Sequence, residues 1–158
     1  DTPGLEILPF VVDHHPVNSS FGFKVSYKGR TVVISGDTIH DGSVQKYSKD
    51  VDLLVHSAIS IDIVERMRKL APIPQMDKIL LDIQDYHTSI KEAGEIARDA
   101  GVKHLLIYHS IPTPRNNVME RVFFRPLGGI FDEYTLSDDG TRIIMPIGSN
   151  EIIIDQIN

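Results

Sequence analysis

The stretch Thr31-Val32-Val33-Ile34-Ser35-Gly36-Asp37-Thr38 constrains this chain more than any other. Its run of β-branched residues reads as a buried strand, and Gly36 lets the backbone turn so that Asp37 projects from the strand's carboxyl end. Two readings of Asp37 stand side by side: it caps the turn through its own backbone amides, or it is a carboxylate held out for chemistry. The second gains weight from histidines at the ends of other elements.

Before that strand, Leu5 to Val12 reads as a strand in which Pro9 marks an edge or a bulge, running into Asp13-His14-His15-Pro16. Pro16 holds His15 extended, so His14 and His15 point to opposite faces and one of them faces a site. Phe21 to Tyr27 forms a hairpin with Thr31 to Ser35 around Lys28-Gly29-Arg30. Asp41 to Ser48 is a short helix or loop, and Val51 to His56 is another buried strand that ends in a histidine.

A helix over Ile61 to Leu70 stops near Pro72, and Ala71 to Asp85 reads as an irregular loop over a site. The clearest local signature is Tyr86-His87-Thr88-Ser89, where Ser89 and Glu92 make a capping box that places His87 at the amino end of a helix closed by Gly101. Val102 to Tyr108 is then a strand leading into His109. Beyond Arg115, the segments 130–134 and 142–145 are expected to form a hairpin around Ser137-Asp138-Asp139-Gly140, followed by a strand over Glu151 to Ile157. Arg121 and Arg125 are candidates to line an anion pocket. His40 and His104 read as solvent-facing or packing residues.

The chain has no cysteine, so a transition metal would have to be held by His, Asp or Glu. His15, Asp37, His56 and His109 at strand ends, with His87 at a helix amino terminus, suit zinc, manganese or iron. Such a metal lowers the pKa of bound water to about 7 and supplies a hydroxide, which implies hydrolysis, with His87 to stabilise or protonate the leaving oxygen. The 22 acidic residues against 16 basic ones give a net charge of -6 with no long basic block, so nucleic acid is expected to be an unlikely partner. No apolar run reaches the roughly 18 residues of a membrane span and no signal-like segment opens the chain, so a cytoplasmic setting without membrane is expected.

Several segments occur in an order that resembles a known family: Ser35-Gly36-Asp37-Thr38, Asp52-Leu53-Leu54-Val55-His56-Ser57-Ala58, His87-Thr88-Ser89 opening an alanine-rich helix, and Leu105-Leu106-Ile107-Tyr108-His109-Ser110. His15-Pro16 before Phe21-Gly22-Phe23 fits the same pattern. Together they are similar to the C-terminal half of a metallo-β-lactamase-fold hydrolase, nearest the ribonuclease Z and arylsulfatase-like branch.

The resemblance implies an α/β fold with a mostly antiparallel β-sheet and helices on one face, a single domain over 1–158 equivalent to half of an αββα sandwich. It makes His15 a ligand of one zinc ion, with manganese or iron as other candidates, His109 a ligand of a second ion, Asp37 the bridge and His87 the catalytic group. His56, Thr38 and His14 become supporting residues, the choice between His14 and His15 staying open.

The family's His-x-His-x-Asp-His run is absent from these residues, which leaves two expectations. Either the chain is a fragment of a longer hydrolase cleaving a phosphodiester or other ester, as a start at Asp1 suggests, or it is a non-catalytic binding or oligomerisation domain. In both cases the isolated chain holds metal weakly and is inactive alone, and its uncovered sheet face calls for a homodimer or the missing N-terminal half. With no room for a tRNA-gripping arm between Gly22 and Gly36, the expected substrate is a small phosphodiester, sulfate ester or lactone.

Overall fold

A computed structural model describes residues 2–157. Strands β1 (Leu5–His14), β2 (Val17–Tyr27) and β3 (Arg30–Ile34) form an antiparallel meander. It continues into β4 (Leu53–Ile59), β5 (His104–Ile111) and β6 (Tyr134–Leu136), giving one sheet in the order β1-β2-β3-β4-β5-β6. The α/β class is as expected, but strand direction is not mostly antiparallel: β3, β4, β5 and β6 are all parallel. Their connections carry helices, and a helical crossover returns the chain to the same end of the sheet.

One face of the sheet carries the core. Val33, Leu54 and Leu105 stand in register across β3, β4 and β5, all fully buried. Against them pack α1 (Ser43–Tyr47), α4 (Ile90–Asp99) and α5 (Asn117–Phe124) through Val44, Ile90, Ala93, Ile96, Ala97, Phe123 and Phe124. Each fully buried Leu, Ile or Phe contributes roughly 1.5–3 kcal/mol. Helix α4 begins as the sequence requires: Ser89 Oγ accepts from the Glu92 N–H while Glu92 accepts from the Ser89 N–H. Gly94 lets it approach closely, since a Cβ there would lie 2.1 Å from a Leu127 methyl.

The other face is uncovered over β1 to β3, whereas Leu53 and Leu106 of β4 and β5, which lie outside the core cluster, are buried. Val11, Phe21, Phe23 and Ile34 are exposed, and Phe23 and Ile34 are register partners. This matches the uncovered face expected from the sequence.

Three other segments depart from their sequence reading. Residues 74–82 form a helix, α3 (Pro74–Asp82), packed beside α2 (Ile61–Lys69) where an irregular loop was expected. Pro74 opens it, a position at which proline loses no hydrogen bond. Helix α5 was not anticipated; Asn116 caps it by accepting from the N–H groups of Val118 and Met119. The hairpin expected between 130–134 and 142–145 does not form. Instead β6 joins the main sheet, while β7 (Thr141–Ile144) pairs with β8 (Ile153–Gln156). Among the described residues no helix is long and apolar enough to cross a membrane.

Candidate metal centre

The carboxyl ends of β3, β4 and β5 meet the end of β1 and the start of α4, and backbone hydrogen bonds lace these segments together. The Ile39 N–H donates to the Asp13 carbonyl at 2.9 Å, and the Thr88 N–H and Oγ1 both donate to the Thr38 carbonyl at 2.8 and 2.7 Å. The Ile59 N–H reaches the Thr88 carbonyl, and the Ser60 N–H reaches that of Ile111. Thr38 and Thr88 are fully buried, so this lacing lies away from solvent. Gly36 makes the turn at φ +67, where a Cβ would collide with the Phe21 carbonyl oxygen at 2.6 Å. Asp37 is thereby directed into the space that the laced segments enclose.

Four side chains converge there. One donor atom each from His14, Asp37 and His87 lie within 4.8 Å of one another. The His14 and His87 rings are 5.2 Å apart, and those of His87 and His109 are 5.8 Å apart. His109 Nδ1 donates to Asp37 Oδ1 at 2.8 Å. His14 Nδ1 meets the Tyr86 carbonyl at 2.8 Å and His87 Nδ1 meets the Ile83 carbonyl at 2.9 Å. A carbonyl only accepts, so both rings carry their proton on Nδ1 and present the Nε2 lone pair. Burial lowers the pKa of His87 more than the Ile83 carbonyl and Asp37 raise it, which favours the neutral ring.

Both outer histidines come from irregular strand positions. The β1–β2 register shifts between Val12 and His14, and the β4–β5 register skips His109, which has a φ of 42. A bulge of this kind re-aims a side chain out of strict alternation. At β1 it brings His14 into the cluster. His15 is exposed, with its N–H on the Asp13 carboxylate at 3.0 Å, and it is His14, not His15, that joins Asp37 and His87.

His56 is completely buried and lies outside the cluster. Its Nδ1 meets the Ser57 carbonyl at 2.6 Å, its Nε2 has no partner, and burial pushes its pKa down to about 4. His104 contacts Thr135 Oγ1, and His40 is exposed, as read from the sequence. Arg125 lies 3.8 Å from Asp62, both largely exposed, and Arg121 lines a recess with Asn117, Glu120, Phe124 and Tyr134, where the Glu120 carboxylate does not favour an anion. Sequence reasoning gave no role to Tyr86, whose carbonyl orients His14; its only signal was its place directly before His87.

Comparison with known proteins shows what the chain is similar to. No family model matches the chain. Over 112 residues, 71% of this chain, it is 39% identical to ribonuclease Z of Mycolicibacterium paratuberculosis and 38% identical to that of Mycobacterium avium. The short form of human tRNase Z superposes with a TM-score of 0.53 at 27% identity, over 88% of this chain and 42% of that one. The metallo-β-lactamase-fold protein YhfI of Bacillus subtilis superposes at 0.58 with 20% identity, over 85% and 47%.

This is a ribonuclease Z-like chain of the metallo-β-lactamase fold. It spans 37% of the length of the two mycobacterial relatives. The expectation that nucleic acid is an unlikely partner is overturned, because these relatives are named ribonuclease Z and tRNase Z, after RNA substrates. Net charge is a sum over the chain and does not report the potential at one site. A short Gly22 to Gly36 interval, likewise, bears on one insertion point only.

His14, Asp37 and His87 fit a metal ion. Imidazole nitrogen and carboxylate oxygen are the donors that zinc, manganese and iron accept. The carbonyl partners of His14 and His87 are the kind of outer contact that holds a ligating histidine in its tautomer.

Proposed function

We propose that this chain forms part of a metal-dependent phosphodiester hydrolase acting on RNA. The observation that carries the reading is the convergence of His14, Asp37 and His87, with two imidazoles already held by carbonyls so that Nε2 is free. In this reading Asp37 is the shared carboxylate, with His14 on one side and His109 on the other. Zinc is the ion we favour, since it imposes no geometry of its own on a mixed nitrogen and oxygen donor set. A bound divalent ion supplies activation of water at neutral pH and stabilisation of phosphoryl charge.

The chain's own residues do the rest. Asp37 is kept in place by the His109 hydrogen bond and the Gly36 turn. His87 faces the same space with its Nε2 lone pair outward. An anionic phosphate beside it would favour protonation, after which Nε2 can return a proton to the leaving oxygen. Among the described residues the donors fall short of two closed metal sites, which suits a single domain over 1–158 that is one sheet layer of an αββα sandwich. The second layer, with the remaining ligands, would cover Phe23 and Ile34, from an N-terminal half or from a partner copy. A cytoplasmic setting goes with this reading.

The test is zinc affinity measured by calorimetry. Asp37→Ala and His14→Ala are expected to weaken binding at least about tenfold. With the site complete, Asp37→Ala is expected to lower RNA cleavage on the order of a thousandfold, the rate equivalent of several kcal/mol of charge stabilisation. Zinc affinity unchanged in both variants would sink the reading.

A further inference from the structure

Beside the histidine cluster lies a recess of about 640 Å³ whose lining includes His14, Pro16, Val17, Asp82, Asp85 and Tyr86. It adjoins the candidate metal centre through His14, which belongs to both. No lysine or arginine lines it, and two carboxylates do. Asp82 is already paired with Lys78 at 2.5 Å, whereas Asp85 is exposed and makes no ion pair among the described residues. The remaining walls are the imidazoles of His14 and His15, Pro16, Val17 and Tyr86. The Tyr86 ring is set edge-on to His14, with centroids 5.3 Å apart at 86°, and the Tyr86 carbonyl holds the same histidine.

This chemistry repels a phosphate and suits a flat ring that carries hydrogen-bond donors. Unstacked RNA bases are bound in that way, on aromatic faces with their polar edges read by side chains. Two carboxylate oxygens match two parallel N–H donors. Among the four bases guanine offers such a pair at N1 and N2. We propose that the recess is the subsite for the nucleobase next to the scissile phosphate and that Asp85 gives it a preference for guanine. The proposal rests on the RNA phosphodiesterase reading above and adds a specificity residue to it.

The experiment is a ligand-observed NMR titration of the 158-residue chain with guanosine, inosine, uridine and inorganic phosphate. Guanosine is expected to bind tightest and uridine about tenfold more weakly, the discrimination typical of a bidentate base contact. Inosine, which lacks the N2 amine, should fall between them, and inorganic phosphate should not compete. Asp85→Asn is expected to remove the guanosine preference, and Tyr86→Leu to weaken every nucleoside by a similar factor. Amide spectra of both variants confirm that they are folded.

Equal binding of all nucleosides, no binding of any, or a guanosine preference that survives Asp85→Asn would overturn the subsite. Zinc affinity, measured by calorimetry on the same chain and on Asp37→Ala and His14→Ala, separates the two claims. Zinc binding that is weakened in both variants, without nucleoside binding, overturns the subsite alone. Guanosine-selective binding with zinc affinity unchanged in both variants supports the subsite and overturns the metal-dependent reading.

Discussion

The two ends of the central sheet treat their polar residues in opposite ways. At the end where β3, β4 and β5 begin, Asp52 and Arg30 are almost wholly buried and the charges close on one another. Asp52 meets Lys103 at 2.8 Å, the Thr31 N–H at 2.7 Å and Arg30 at 3.4 Å. Arg30 also donates to the Ser149 and Glu151 carbonyls and so ties the C-terminal segment to the sheet. Burial alone would raise the pKa of Asp52, but the hydrogen bonds from Lys103 and Thr31 and the two positive charges outweigh it and lower the pKa. At the opposite end His14 and His87 each spend one nitrogen on a carbonyl and leave the other free. A cluster whose opposite charges pair with one another, here with Arg30 Nε left without a partner, holds the fold together, and one that leaves lone pairs free is suited to an external ligand.

That contrast can be broken from either end. Asp52→Ala should cost roughly 3–5 kcal/mol, because it leaves the Arg30 guanidinium buried without its carboxylate. Urea unfolding would measure it, and zinc affinity should be unchanged. A cost below about 1 kcal/mol would mean that the Arg30 carbonyl contacts suffice without the carboxylate.

The next effect is one of pH. His56 titrates at about 4 in the folded chain and near 6.5 when unfolded. The unfolded state therefore takes up the proton first as pH falls. The contribution is fully present above about pH 6.5 and is lost towards pH 4, by roughly 3 kcal/mol in all. Burial lowers the pKa of His87 and His104 as well, and they act in the same direction. A His56→Gln variant should flatten the pH dependence of the urea midpoint, and an unchanged slope would remove His56 as its source.

Ser89→Ala breaks the capping box that positions His87 and should cost about 1 kcal/mol, read as a lower melting temperature. The smallest effect sharpens the assignment of the centre. His15→Ala should leave stability within about 0.5 kcal/mol and zinc affinity at the unsubstituted value. A loss of zinc affinity comparable to that of His14→Ala would return His15 to the site.

Much of the fold was legible because its signals are local. The β-branched run into Gly36-Asp37 is strand β3 and its turn, and the Ser89-Glu92 pair marks the start of α4. Helix α3 was hidden because two prolines and several acidic residues read as a loop, although Pro74 in fact starts the helix. The pairing of β7 with β8 was hidden because the turn at Ser137-Asp138-Asp139-Gly140 reports a change of direction without naming the partner strand.

By itself the sequence determined which residues could do chemistry here: histidines and one aspartate near element ends, without any thiol. It also determined the local punctuation that puts them there, since capping, β-branching and glycine turns act within a few residues. Only the tertiary structure decided which of them meet. The bulges before His14 and at His109 override strict alternation, and the bonds from Thr88 to Thr38 bring segments 50 residues apart into one site. Side-chain aim at a bulge and contact across the chain depend on neighbouring strands, and periodicity along one strand carries no record of them.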